Sequence, residues 1–169
     1  MRTPRIAIVG LGNLMRTDDA LGMLAIERLK MDFELLDSVA MIEGGTLGLE
    51  LMQPLENVTH LLALDAIDAG EAAGTLLRFA GDQIADMPAS KSVHLLGFSD
   101  LIGAMTLTGD APEEIVVLGL QPELIAWGTR LSHTVEAALP RLIDAALEQI
   151  AHWTRETAEP AVCCEASWS

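Results

Sequence analysis

Three short stretches, "RIAIVG" (5–10), "HLLALDAI" (60–67) and "EIVVLGL" (114–120), are apolar almost without interruption, and each is bounded by polar or turn-forming residues. Runs of this length read as strands buried on both faces, and such strands need helices above and below them. The segments between them supply those helices. "DDALGMLAIERLKM" places Leu21, Leu24, Ala25 and Leu29 at helical spacing, with Thr17 or Asp18 as its expected cap. "LGLELMQPL" reads as a short helix, "KSVHLLGFSDLIGAMTL" as a helix from about His94, and Ser132 to Trp153 as a closing helix. "SVAMIE" and "GTLLRFA" add two further strands. This alternation predicts an α/β fold: a three-layer sandwich with a mostly parallel, twisted sheet of about five strands and helices on both faces. No composition shift marks a second domain in the 169 residues, so residues 1–154 are expected to form one domain and the small, polar residues 155–169 a flexible C-terminal tail.

Charge narrows the partners. With 25 acidic against 10 basic residues the net charge is −15, which disfavours phosphate-rich nucleic acid and anionic lipid surfaces. No apolar run reaches the roughly 18 residues of a membrane span, and the amino terminus lacks the pattern of a secretory signal, so the expected location is the cytoplasm. Cys163 and Cys164 are adjacent in the tail, poor geometry for a disulfide and incomplete as a metal site.

In parallel α/β sheets, chemistry gathers where strands run into helices at their carboxyl ends. Asp18 and Asp19 follow the first strand, Glu43 ends the second, Asp65 ends the third and His94 opens a later helix. Asp19, Asp65 and His94 are therefore expected to converge on one crevice. "GLGNLMRTDD" superficially suggests a nucleotide loop, but Met15 stands where a dinucleotide fingerprint needs its third glycine. The two aspartates would also occupy or repel at the amides a phosphate requires. A cation suits the place better: two carboxylates and an imidazole form a mixed oxygen and nitrogen set for a borderline divalent metal. Taken singly, Asp18 or Asp19 reads as a helix cap, Asp65 as a strand end, and His94 as a surface or satisfied core histidine. His60 at a strand start, His133 at a helix start and His152 near a helix end rank lower.

"GLGNLMRTDDALG", "EGGTLGLEL", "LLALDAIDAGEAAGTLLRF", "SVHLLGFSDLI" and "VVLGLQPELIAWGTRLSHTVEAALP" resemble, in order and spacing, the nickel–iron hydrogenase maturation endopeptidases, from about Ile6 to His152. The resemblance implies a three-layer α/β fold and an endopeptidase that removes the C-terminal extension of the nickel-loaded large subunit of a hydrogenase. Nickel, supplied by the substrate, would be the recognition signal, and the precursor of the large subunit the partner. Carried over by position, the metal-contacting and catalytic residues are Asp19, Asp65 and His94. The family accepts Glu or Asp at Asp19. Glu43 stands where many relatives have Asp, Phe98 where Leu is common, and the "GGT" glycines of 44–46 are expected to let the backbone approach a bound peptide. The "TGDAPEEIVVLGLQPE" stretch looks most like versions serving membrane-bound uptake hydrogenases.

Two chemistries remain open at this point. Either the metal shared with the substrate sits beside an activated water, or one acid, Asp18 or Asp65, is the general base and the metal serves recognition. Ser92 lies too close in sequence to His94 to form a convincing nucleophile and base, so attack by water is expected. The alternative reading is a nickel-binding accessory protein that recognises the loaded precursor without cutting it. A nucleotide-binding module is the third. With no large apolar patch inferable, a monomer is expected.

Overall fold

The computed structural model describes residues 5–33, 38–84 and 93–157. Five strands, β1 (Ile6–Leu11), β2 (Val39–Gly45), β3 (His60–Ala66), β4 (Leu76–Ala80) and β5 (Glu114–Leu120), form one sheet in the order β2-β1-β3-β5-β4. The first four in that order are parallel, and β4 alone runs antiparallel, against β5. Residues 67–75 are too few for the helical crossover that a parallel neighbour requires, so β4 returns along the far side of β5.

Alternation along the strands sorts the core into two layers. Ile6 and Ile8 of β1, with Leu62 and Leu64 of β3, pack under α1 (Leu21–Asp32) and α3 (His133–Thr157). Ala7, Val9, Leu61 and Ala63 face the other way, toward Leu51, Leu55 and the Phe98, Leu101 and Met105 side chains of α2 (Val93–Thr108). Burial of both faces explains why these strands read as continuous apolar runs. The expected three layers are present.

Three local expectations need revision. "LGLELMQPL" forms only a 3₁₀ turn over Leu49–Met52, because Pro54 has no N–H with which to continue an α-helical ladder. The chain after β1 does not enter its helix at Asp18: Thr17–Ala20 is a 3₁₀ turn, and α1 starts at Leu21 behind Ala20 with no side-chain cap. The close helix-to-strand approach that a fingerprint's third glycine would provide falls instead to Gly22, where a methyl would overlap the carbonyl oxygens of Leu64 and Leu11. α3 extends to Thr157, three residues into the expected tail of 155–169, and the rest of that tail, with Cys163 and Cys164, lies outside the described residues, as does Ser92. Among the described residues no helix is long and apolar enough to cross a membrane.

Candidate active site

The carboxyl ends of β1, β2 and β3 open toward the start of α2, where Asp19 and His94 of the three expected residues come into contact. Asp19, last but one in the 3₁₀ turn after β1, places Oδ2 3.0 Å from Nε2 of His94, the second residue of α2. Both side chains are largely shielded, His94 at 9% exposure and Asp19 at 13%. The Asp19 carboxylate holds the His94 pKa above its ordinary value. Burial opposes that shift, the charges of Asp65 and Asp19 add to it, and the charge of Arg16 works against it.

Asp65 is fully buried, and one of its carboxylate oxygens, Oδ1, accepts the Ala66 N–H at 2.8 Å. Strand alternation puts it on the face of β3 covered by α2, with Ala63 and Leu61. It thus stands behind the Asp19–His94 pair, near enough for its charge to act on the imidazole. In front of the pair is a cleft of about 270 Å³ lined by Asn13, Arg16, Asp19, Thr46, Leu47, His94 and Gly97. None of these is a serine or cysteine. Among the described residues no three His, Cys, Asp or Glu side chains are grouped to hold a metal. A larger groove of about 770 Å³ between α1 and α3 contains none of the three predicted residues.

Asp18 has a different role from either expectation made for it. Fully buried, it accepts hydrogen bonds from the N–H groups of Glu123 (2.8 Å), Leu124 (2.9 Å) and Ser132 (2.6 Å), and from Ser132 Oγ (2.9 Å). Four donors fill the acceptor sites of a carboxylate, so it neither caps α1 nor serves as a general base. It ties the turn after β1 to the loop that leads into α3. Thr17 reinforces the tie: its Oγ1 donates to the Leu124 carbonyl and accepts the Ala126 N–H, while its backbone is held at φ +29°, a strained value for a β-branched residue.

Comparison with known proteins fits this geometry. A family described as hydrogenase maturation protease matches residues 23–149. The chain is 35% identical over 164 residues to hydrogenase 2 maturation protease of Escherichia coli strain K12, covering 96% of this chain and 98% of the relative. It is 34% identical to the hydrogenase expression/formation protein HupD of Rhizobium leguminosarum, across 89% of this chain and 76% of that one. The solved hydrogenase maturating endopeptidase HybD from E. coli superposes with a TM-score of 0.83 at 32% identity, over 88% of this chain and 93% of that one.

The chain belongs to the hydrogenase maturation protease family.

Within this maturation protease fold, the remaining sequence candidates fall away from the cleft. Glu43 is ion-paired with Lys30 on the surface, Nζ to Oε1 2.6 Å. Of the glycines expected to meet a peptide, Gly44 lies against Val9 of β1 and Gly45 takes a left-handed turn at φ +56°, while the residues lining the cleft are Thr46 and Leu47. His60 packs edge-on to Trp153, ring centroids 5.2 Å apart, His133 is the first residue of α3, and His152 is exposed on that helix.

Two features escaped the sequence reading. Arg16 lines the cleft, and nothing in the spacing of "GLGNLMRTDD" marks its side chain for that position. Leu14, Met15, Leu124, Ile125 and Trp127 are exposed on the two loops joined by Asp18 and Thr17, with Trp127 at 84%. Gly128, next to Trp127, donates its N–H to the Met15 carbonyl and accepts from the Thr17 N–H. The apolar residues of "ELIAW", in a loop with no core to enter, were the available signal.

Proposed function

We propose that this protein removes the C-terminal extension from the nickel-loaded precursor of a nickel–iron hydrogenase large subunit, acting as a monomer in the cytoplasm. The observation that carries this reading is the shielded Asp19–His94 pair at the floor of an open cleft in a member of the maturation protease family. Nickel belongs to the substrate in this account. The donors suit it: a carboxylate oxygen and an imidazole nitrogen side by side, with the buried Asp65 carboxylate behind them, favour a borderline divalent cation. Asp19 and His94 would complete the coordination of a metal already held by the precursor, and the metal would supply recognition and polarisation of the bond to be cut.

Beside that polarisation, hydrolysis needs a water and a group to carry its proton. A water in the cleft gives its proton to the Asp19–His94 pair while its oxygen adds to the scissile carbonyl carbon. The pair returns the proton to the amide nitrogen as the C–N bond breaks, which leaves a new carboxylate and a free amino terminus. The exposed apolar residues from Leu14 to Trp127 offer a surface on which a folded precursor can rest.

The test is the precursor's mass after incubation with the protein, nickel-loaded in one arm and nickel-free in the other. Loss of a C-terminal peptide in the loaded arm alone supports the reading. Binding of the loaded precursor without a mass change replaces it with the accessory-protein alternative.

A further inference from the structure

Arg16 is fixed by its backbone, while among the described residues its side chain forms no ion pair. Its N–H donates to the Asn13 carbonyl at 3.0 Å, its carbonyl accepts from the Asp19 N–H at 2.8 Å, and it bridges to Gly128 of the loop before α3. Two backbone bonds of its own, and those of its neighbours Met15 and Thr17 to Gly128, set the direction in which its side chain leaves the chain. The guanidinium lines the same cleft as Asp19 and His94, and its charge is felt at the imidazole.

Among the described residues this cation has no carboxylate partner. The ion pairs there are Arg28–Asp32, Lys30–Glu43 and His94–Asp19, while Arg78 and Arg141 donate to Gln149 and to the Gly74 carbonyl. Other described arginines also lack a carboxylate, Arg78 and Arg141 among them; what sets Arg16 apart is its place in the cleft beside Asp19 and His94. Open to water, the guanidinium is well solvated. A peptide lying over the cleft would strip that water, and the charge then needs an acceptor in return.

We propose that Arg16 is a specificity-determining residue that pairs with a carboxylate on the precursor segment occupying the cleft. This rests on the functional reading above and adds the chemical class of group that is recognised. A carboxylate matches the planar fork of the guanidinium with two parallel hydrogen bonds, whereas a carbonyl oxygen would leave the buried charge uncompensated. The strongly acidic surface repels a carboxylate elsewhere, so one basic point beside the reacting pair sets the register of the peptide.

The experiment measures processing of the nickel-loaded precursor by the wild type, R16K, R16Q and R16E, with each acidic residue near the precursor's cut site replaced in turn by Gln and by Lys. R16Q is expected to raise KM by about tenfold with kcat changed by less than about twofold, and R16E to raise KM further. One precursor acid, changed to Gln, should reproduce the R16Q effect without adding to it, and its change to Lys should restore cleavage by R16E. R16K is expected to fall between R16Q and the wild type. Unchanged KM in R16Q and R16E while the wild type cuts would overturn this proposal and leave the functional reading intact. A wild type that fails to cut would overturn both, and unchanged thermal unfolding of R16Q excludes a folding defect as the cause.

Discussion

Ser132 grips the carboxylate of Asp18 twice, through its N–H at 2.6 Å and its Oγ at 2.9 Å, and the same Oγ accepts the Val135 N–H in the first turn of α3. A residue 114 positions away thereby decides which way the acidic pair divides: Asp18 is spent on structure, and Asp19 is left facing the cleft. Replacing Asp18 by Ala strands three backbone N–H groups and a hydroxyl that the carboxylate now satisfies. The expected loss is about 3 kcal/mol of stability, read by chemical denaturation, with processing reduced because the turn carrying Asp19 loosens. A variant as stable as the wild type would show that the carboxylate is not a structural tie.

The protonation of His94 gives a second check. Its folded pKa is raised above 6.5, first by the hydrogen bond to Asp19 and then by the charges of Asp65 and Asp19, against burial and Arg16. A raised histidine pKa stabilises the fold fully below the unfolded value of about 6.5, and this contribution is lost as pH rises through the folded value. In D19N the His94 titration, followed by NMR of the ring, is expected to move down, and the stability difference from wild type to be largest at acid pH. D65N should move it down by less. A larger shift in D65N than in D19N contradicts the ordering of these two carboxylates.

Trp127, 84% exposed, contributes little to the fold from that position. Trp127→Ala is expected to leave stability within about 0.5 kcal/mol of wild type and, on the proposal that this loop receives the precursor, to raise the KM for it. Equal KM values in the two proteins would remove this loop from the docking surface.

How far the sequence reveals this molecule depends on the range of the interaction. β1, β3 and β5 are legible because burial on both faces leaves a continuous apolar run, and the helices because their apolar residues recur at helical spacing. The meeting of Asp19 with His94 follows from topology, since strand ends in a parallel sheet share one edge. The role of Asp18 is hidden because its partners lie 105 to 114 residues away in a loop with no regular pattern. Periodicity also misjudges "LGLELMQPL", whose spacing suits a helix until Pro54 removes the donor that would extend it. The position of Asp65 behind the pair, rather than beside it in the cleft, comes from its register opposite Gly119 inside the sheet, one pair short of the strand's end. Sequence spacing does not carry that distinction.

If Asp19 and His94 act together on the precursor, loss of either should stop its processing. The most direct test follows the mass of nickel-loaded large-subunit precursor with the wild type, D19N and H94Q at matched concentration, after circular dichroism has shown all three folded. Loss of the C-terminal peptide is expected with the wild type, and a fall of at least about 100-fold in rate with either variant. Processing by both variants at the wild-type rate would place the chemistry elsewhere.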